Sequence, residues 1–220
     1  LKELCDLRGD VRDADALGRA FAAARPEVVF HLAAQPIVRT SYRQPVETFA
    51  ANVMGTVNVL ECIRTSDTVR SALMVTTDKV YENKEWPWGY RENEPLLGYD
   101  PYSASKSCAE IAAHSYRQSF FAGSGVRLST ARAGNVIGGG DFAPDRIIPD
   151  CIRAAVRGQV IDIRNPHSTR PYQHVLEPLS VYLMLAARQA EDVALVGAWN
   201  VGPDDADCVT TGELADLFCR

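Results

Sequence analysis

Residues 72–79 read ALMVTTDK, and residues 102–106 read YSASK. The first stretch is a continuous apolar run that ends in polar residues, which predicts a β-strand buried on both faces, as in parallel sheets. The second stretch places Tyr102 and Lys106 one helical turn apart, on one face of a predicted helix. A strand that is followed by a helix is the repeating unit of an α/β fold.

The same alternation continues on both sides of these stretches. The predicted strands cover residues 28–32, 72–75 and 126–131, and the predicted helices cover residues 13–24, 45–63 and 102–121. This order predicts an α/β fold with a doubly wound parallel sheet of the Rossmann type.

The pattern of the sequence changes near Gly138, after which glycines and prolines separate shorter predicted elements. In that part we expect helices over residues 147–157 and 176–190, a short strand near residues 199–201, and a final helix from Thr211. The prediction is therefore a main domain over residues 1–137 and a smaller lobe over residues 138–220.

Composition excludes several classes of function. The 220 residues are 46% hydrophobic and 23% charged, with a formal net charge of -5. A negative chain is a poor non-specific binder of nucleic acid or of an anionic membrane. No apolar run approaches the roughly 18 residues of a membrane span. The cysteines show no spacing that suits a metal or a disulfide framework, which favours reduced thiols. We expect a cytoplasmic enzyme without a metal.

The pair Tyr102 and Lys106 is the first candidate for chemistry. A cation one turn from a phenol stabilises the phenolate, lowers the pKa of the tyrosine and prepares it to act as a general base. Two residues on a helix surface can show the same spacing by chance. The preceding strand, which ends in Thr-Thr-Asp, favours the functional interpretation.

These motifs together resemble a known family. A Tyr-x-x-x-Lys helix after such a strand is similar to the extended short-chain dehydrogenase/reductase superfamily, in its NAD-dependent epimerase/dehydratase family. Further matches in the same order are GDVRD at 9–13, HLAAQ at 31–35 and NVMGT at 52–56. The matches that narrow the resemblance are DKVYEN at 78–83, WPWGYRE at 86–92, ARAGNVIGGGD at 131–141 and RPYQHV at 170–175. They resemble sugar-nucleotide 4,6-dehydratases, in the branch that acts on CDP-glucose.

The resemblance implies an NAD-dependent lyase. Such an enzyme oxidises C4 of the sugar, eliminates water across C5 and C6, and returns the hydride to C6. By the resemblance, Tyr102 is the base on the 4-hydroxyl, Lys106 holds the nicotinamide ribose, and Thr77 hydrogen-bonds the same hydroxyl. Asp78 is the acid that protonates the leaving 6-hydroxyl, and Lys79 is the base that removes the C5 proton.

Lys79 stands where the dTDP-glucose branch carries Glu. A lysine must lose its proton to act as a base, which requires desolvation or a neighbouring positive charge. The competing interpretation of Asp78 and Lys79 is an ion pair on the surface at a strand end.

The resemblance also implies binding residues. For NAD they are Asp10, Val11, Leu32, Ala33, Ala34, Thr76, Tyr102 and Lys106. For the nucleotide sugar they are Thr77, Asn135, Arg146, Arg170 and His174. Residues 1–137 would then be a partial NAD-binding domain with the catalytic residues, and residues 138–220 part of the substrate-binding lobe. Asn52 lies in an apolar helical face, where a polar side chain needs a partner, and we expect it to tie that helix to the strand at the active site.

The glycine-rich loop that normally follows the first strand of this fold is absent, and so is the acidic residue that selects NAD over NADP. We therefore expect a piece of a longer protein, cut at both ends. In the strand order 3-2-1-4-5-6 the first two strands lie between the third and the fourth, so a chain that starts at the third strand would leave a gap in the sheet. The chain alone would then fold poorly and bind NAD weakly.

Alternatives remain at this stage. The protein can be a dehydratase for another nucleotide sugar, a sugar-nucleotide 4-epimerase of the same fold, or a truncated fragment without catalysis. An epimerase needs Tyr102 and Lys106 but no acid–base pair for elimination, so Asp78 and Lys79 favour a dehydratase. The resemblance further implies a homodimer for the full-length protein, and a product that feeds deoxysugar synthesis for surface polysaccharide such as O antigen.

Overall fold

The computed structural model describes residues 4–220. Its helices are α1 (Ala14–Ala24), α2 (Val38–Arg43), α3 (Pro45–Phe49), α4 (Gly55–Thr65), α5 (Pro101–Tyr116), α6 (Ile147–Val156), α7 (Leu176–Gln189) and α8 (Thr211–Phe218). Its strands are β1 (Val28–His31), β2 (Ser71–Val75), β3 (Arg127–Ala133), β4 (Asn135–Ile137), β5 (Thr169–Arg170), β6 (Tyr172–His174), β7 (Ala198–Val201) and β8 (Val209–Thr210).

A parallel sheet with the strand order β1-β2-β3-β7 forms the centre of the molecule. Side chains of β2 alternate between two hydrophobic clusters, because successive residues of a strand face opposite sides of a sheet. Ala72 and Met74 pack with α4, whereas Leu73 packs with Tyr182 and Leu185 of α7. Both faces of the sheet are therefore covered by helices, which confirms the predicted doubly wound α/β fold.

The expected gap does not occur among the strands that the structure describes. β1 pairs directly with β2 from Val28–Ser71 to His31–Met74, and β2 pairs directly with β3. The strand at residues 28–31 is thus the direct neighbour of β2, the strand that leads into Thr77. Within the described residues β1 forms one edge of a continuous four-stranded sheet.

The later part of the chain contributes to the same sheet. β7 pairs in parallel with β3, from Thr130–Ala198 to Ala133–Val201. Two small sheets, β4 with β6 and β5 with β8, lie outside the main sheet. The division into residues 1–137 and 138–220 stays a prediction, and β7 of the second part completes the sheet of the first part by pairing with β3.

Two predicted helices contain wider π-type turns. The helix that was expected over residues 45–63 consists of α3, a π-helical turn at Ala50–Met54, and α4. The helix that was expected over residues 102–121 is α5 followed by a π-helical turn at Arg117–Phe121. Single π-type turns inside helices often occur at functional sites, and the first of them carries Asn52.

None of the helices within residues 4–220 combines the length and the apolar character needed to cross a lipid bilayer.

Candidate active site

Helix α5 brings Tyr102 and Lys106 to the carboxyl end of β2. Asp100 caps the helix by accepting a hydrogen bond from the backbone N–H of Ser103 at 3.0 Å, and Pro101 occupies the first turn, as expected of a helix start. Both Tyr102 (9% exposed) and Lys106 (6%) face inward. The Lys106 ammonium donates to the backbone carbonyl of Val75, the last residue of β2, at 3.2 Å.

The end of β2 continues into a tight turn. Thr77 is extended and buried, and Asp78–Val80 form one turn of 3-10 helix. The Thr77 hydroxyl donates to Asp78 Oδ1 at 2.9 Å and lies near Tyr102. Ser107 of α5 donates to the Val80 carbonyl at 2.8 Å. The strand end and the helix are therefore joined through several contacts.

Asp78 and Lys79 form an ion pair beside this group. Lys79 Nζ lies 3.0 Å from Asp78 Oδ1 and 3.5 Å from Asn135 Oδ1, to which it donates. Both side chains of the pair are about a third exposed, at 30% and 28%. They therefore stand at the opening of the site, where a substrate can reach them. Asn135 belongs to β4, which pairs with β6.

Burial shifts the pKa values of Tyr102 and Lys106. It lowers the pKa of Lys106 to about 8, against a smaller opposite effect of the Glu110 carboxylate. Burial also raises the pKa of Tyr102, and the largest effect that lowers this pKa comes from Thr77. The expected lowering of the phenol pKa is therefore wrong for the free protein, because loss of hydration outweighs the favourable contacts.

Residues at the carboxyl end of β1 fit a dinucleotide. Leu32 and Ala33 are exposed, and Ala34 is half-buried, at the edge of an α/β sheet where such ligands bind. An ammonium has three donor hydrogens, and Lys106 uses one in the contacts recorded among residues 4–220. It therefore keeps donors for a ribose. The hydroxyl of Thr76, by contrast, donates to Glu110, and its backbone N–H donates to the Ala131 carbonyl at 2.8 Å, so neither of these groups is free to meet a cofactor.

Asp10 and Val11 lie at the other end of the predicted cofactor path. Both carboxylate oxygens of Asp10 accept hydrogen bonds from Arg12, which lowers the pKa of Asp10 to about 2. The Val11 carbonyl accepts from Asn58 of α4 at 2.9 Å. A Cβ added at Gly55 would lie 2.6 Å from the Val11 side chain, so α4 approaches this segment closely.

Asn52 has the partners that a buried polar side chain needs, but they lie after β1 and on α5, and not on the strand that leads into Thr77 as expected. Its Oδ1 accepts from the backbone N–H of Gln35 at 2.8 Å, and its Nδ2 donates to the Gln35 carbonyl at 3.1 Å. The same amide donates to Ser105 at 2.9 Å. Ser105 lies between Tyr102 and Lys106 and donates to the Tyr102 carbonyl at 2.6 Å. Asn52 thus ties the segment after β1 to the turn of α5 that carries the reactive groups.

Of the predicted substrate residues on the later segment, Arg146 lies near Tyr102, whereas in residues 4–220 Arg170 and His174 have no direct contact with the site. Arg146 begins α6 close enough to Tyr102 for its charge to lower the pKa of the phenol, and its Nε is buried without a partner. Arg170 and His174 lie on β5 and β6, and the His174 ring accepts from the backbone N–H of Leu176. Across the described chain, no hydrogen bond or ion pair joins either of them to Thr77, Asp78, Lys79 or Tyr102.

Four residues that the sequence analysis did not assign to the site form a polar network next to it. Glu110, Arg132, Tyr81 and Asn200 are linked by short polar contacts across α5, β3 and β7. A charged residue inside a buried strand, as at Arg132, requires a partner, and this is the signal that could have found the group. Its partners could not be named from the sequence, because they come together only through the sheet order.

No group of three or more metal-binding side chains occurs in residues 4–220. A tyrosine and a lysine on one helical face, beside a threonine at the end of a parallel strand, can remove a proton from an alcohol while a dinucleotide takes the hydride. This fold and site define an enzyme of the extended short-chain dehydrogenase/reductase type.

A scan against family models agrees with this class. Residues 3–202 match the model described as GDP-mannose 4,6 dehydratase. The chain belongs to this family.

Known relatives extend the comparison. The chain is 51% identical over 214 residues to CDP-glucose 4,6-dehydratase from Salmonella typhimurium. The match covers 94% of this chain and 60% of that enzyme. Its structure is similar to UDP-glucose 4-epimerase from Thermus thermophilus in complex with NAD, with a TM-score of 0.81 and 26% identity over 95% of this chain and 66% of the other. It also shares its fold with dTDP-glucose 4,6-dehydratase from Streptomyces venezuelae, with a TM-score of 0.79 and 24% identity over 95% and 61% of the two chains. The chain thus spans about two thirds or less of each of these proteins.

Proposed function

We propose that the protein is the catalytic part of an NAD-dependent CDP-glucose 4,6-dehydratase, a lyase that forms CDP-4-dehydro-6-deoxyglucose and water. The observation that carries the proposal is the Asp78–Lys79 pair, 3.0 Å apart, on the turn that directly follows Thr77 and faces Tyr102. One site then holds the groups for oxidation and the groups for elimination. The 51% identity to the Salmonella enzyme supports the choice of CDP-glucose.

Oxidation at C4 is assigned to the buried pair. Tyr102 takes the proton of the 4-hydroxyl, with Thr77 orienting that hydroxyl by a hydrogen bond. Bound NAD would supply the acceptor for the hydride of C4 and the donor of the hydride to C6. Lys106 holds the cofactor ribose, and its charge, once the site is closed from water, favours the phenolate of Tyr102.

Elimination across C5 and C6 is assigned to the ion pair. The 4-keto group acidifies the C5 proton, and the 6-hydroxyl must be protonated to leave as water. Transfer of one proton from Lys79 Nζ to Asp78 Oδ1, across their 3.0 Å contact, provides a neutral amine and a carboxylic acid together. Desolvation by the bound sugar favours this neutral pair over the ion pair.

The bond changes balance. Lys79 takes the C5 proton, the C5–C6 double bond forms, the C6–O bond breaks, and the Asp78 proton leaves with the oxygen as water. The pair is then ionic again, as in the free protein. Lys79 returns a proton to C5 when the hydride reaches C6, and the proton that Tyr102 took from the 4-hydroxyl balances the one lost with water.

Substrate contacts are proposed for the later segment. Asn135 already contacts Lys79, so it is placed to meet the sugar next to C5 and C6. Arg146, with its charge near Tyr102 and its Nε unpartnered, suits the diphosphate by charge-assisted hydrogen bonds. Arg170 and His174 are assigned to the same nucleotide sugar on the strength of the family resemblance.

The proposal also covers the assembly and place of the protein. A homodimer is supported by exposed apolar side chains on the helical faces of α3 to α5, among them Val46, Met54, Ile111 and Phe120. Light scattering of the full-length protein tests this. The two-part division at residue 137, the cytoplasmic location and the supply of deoxysugars for surface polysaccharide belong to the same proposal.

A nucleotide panel tests the function. The full reading frame that contains this chain is expressed and incubated with NAD and, separately, with CDP-, dTDP-, UDP- and GDP-glucose, and the products are weighed by mass spectrometry. We expect a product lighter by one water from CDP-glucose and none from the other three. A product of unchanged mass with an inverted C4 would make the protein a 4-epimerase, and water loss from another nucleotide alone would overturn the assignment of CDP-glucose.

A further inference from the structure

Tyr81 follows directly on the turn that carries Asp78 and Lys79, and its hydroxyl is held on both sides. It donates to Asn200 Oδ1 of β7 at 2.6 Å and accepts from Arg132 of β3 at 2.7 Å. Burial raises the pKa of this phenol, so it keeps the proton that it donates. Tyr81 is therefore fixed by two strands of the main sheet.

The residues that hold Tyr81 are themselves fixed. Arg132 is 4% exposed and lies over the Tyr81 ring at 5.1 Å, and its guanidinium forms an ion pair with Glu110 at 2.9 Å. Glu110, 3% exposed, also accepts from Thr76 and Thr130. A planar guanidinium with several simultaneous partners has a single orientation. The position of the Tyr81 hydroxyl is thus set by the buried network.

The segment after Tyr81 adds a further restraint. The Tyr90 ring stacks on the Tyr81 ring at 5.2 Å, and the Tyr90 carbonyl accepts from Asn200 at 2.8 Å. Arg132 also donates to the Glu92 carbonyl at 2.9 Å. The loop between residues 81 and 92 is therefore anchored at both ends to the same two side chains.

The two halves of the site depend on Tyr81 to different degrees. Asp78 and Lys79 lie within three residues of it, on a turn whose other end is fixed by Thr77. Tyr102 and Lys106 lie on α5, which has its own anchors in the Asp100 cap and the Val75 carbonyl. The turn of Asp78 and Lys79 is thus the part of the site that is attached directly to Tyr81, and the contact of Ser107 with the Val80 carbonyl is its link to α5.

We propose that Tyr81 is a positioning residue for elimination: its hydroxyl, held between Arg132 and Asn200, fixes the reach of Asp78 and Lys79 to C6 and C5 of the sugar. The inference rests on the proposed function. Tyr81 touches neither substrate nor cofactor, and it acts only through the turn that it ends.

Deuterium isotope effects separate the two halves of the reaction. The full-length enzyme with NAD is assayed on CDP-glucose that carries deuterium at C4, which reports oxidation, or at C5, which reports elimination. In Tyr81→Phe, which keeps the ring and removes the hydroxyl, we expect kcat to fall about tenfold with KM changed less than about twofold. We expect the C5 isotope effect on kcat to rise and the C4 effect to fall towards one.

Two more variants complete the test. Arg132→Lys keeps a positive charge next to Glu110 but cannot reach Tyr81 and Glu92 together, and we expect the same shift of isotope effects. Tyr116→Phe, which removes a phenol hydrogen bond to Glu61 elsewhere on α5, is the matched control, and its isotope effects should equal those of the wild type. Isotope effects do not depend on the fraction of enzyme that is folded, so partial misfolding does not obscure the result.

Two outcomes would overturn the inference. Unchanged isotope effects in Tyr81→Phe, with or without a lower kcat, would overturn the inference while the proposed function stands. A wild-type enzyme that releases no water from CDP-glucose would overturn the proposed function and the inference with it.

Discussion

Lys106 shows at the scale of one residue that the site is arranged for chemistry at a cost in stability. The side chain is buried, and burial lowers its pKa from 10.5 to about 8. An unfolded chain hydrates the ammonium fully, so the folded state binds this proton more weakly. A site that needs a buried cation next to the tyrosine therefore destabilises the protein that carries it.

Lys106→Met should make the protein more stable and inactive. At pH 7 both states carry the proton, and the shift of the pKa corresponds to a penalty of about 3 kcal/mol in the folded state. The penalty shrinks as the pH rises from 8 to 10.5, because the folded state loses the proton first. Urea unfolding at pH 7 should show a higher free energy of unfolding for the variant, by about 1–3 kcal/mol after loss of the Val75 contact, and a smaller difference at pH 10.

The opposite result would contradict this account of Lys106. A variant that is less stable than the wild type at pH 7, or a difference that grows as the pH rises, would mean that the buried ammonium stabilises the fold.

At the scale of elements, the position of α5 depends on the loop that precedes it. Gly98 lies so close to the first turn of α5 that a Cβ there would overlap the backbone of Ser103. Its backbone N–H donates to the Ser107 hydroxyl of α5 at 3.0 Å. The loop and the helix therefore pack backbone to backbone, one residue from Tyr102.

Gly98→Ala should displace the start of α5. Because the overlap is with backbone atoms, the loop must move, and we expect a loss of about 1–3 kcal/mol in the free energy of unfolding together with a lower kcat. Gly125→Ala is the matched control, since a Cβ at Gly125 meets nothing within 4 Å. Chemical denaturation and a kinetic assay of both variants check this, and equal stability of Gly98→Ala and the wild type would contradict the close packing.

Elements were predictable from the sequence where the pattern is local. The period of apolar residues locates α4 and α5, and the spacing of Tyr102 and Lys106 places them on one face wherever α5 lies. The π-type turn at Ala50–Met54 was not predictable, because its wider turn is stabilised by the contacts of Asn52 with Gln35 and Ser105, which are distant in sequence.

At the scale of the whole molecule, the order of the strands in the sheet brings together residues whose contacts cannot be predicted from the sequence. β7 returns to pair with β3, and this brings Asn200 next to Tyr81, although 119 positions separate them. The network of Glu110, Arg132, Tyr81 and Asn200 arises from that pairing. The expected gap is absent among the described strands for a related reason: the direct pairing of β1 with β2 depends on the sheet order and not on any local pattern.

In the proposed function, Asp78 and Lys79 make this protein a dehydratase. The most direct test is to convert CDP-glucose in D₂O with the full-length enzyme and NAD, and to locate deuterium in the product by mass spectrometry and NMR. We predict a product that has lost one water and carries one solvent deuteron at C5, and no such product from Asp78→Asn or Lys79→Met. A product that keeps all its oxygen atoms and takes up no deuterium at C5 would contradict the claim.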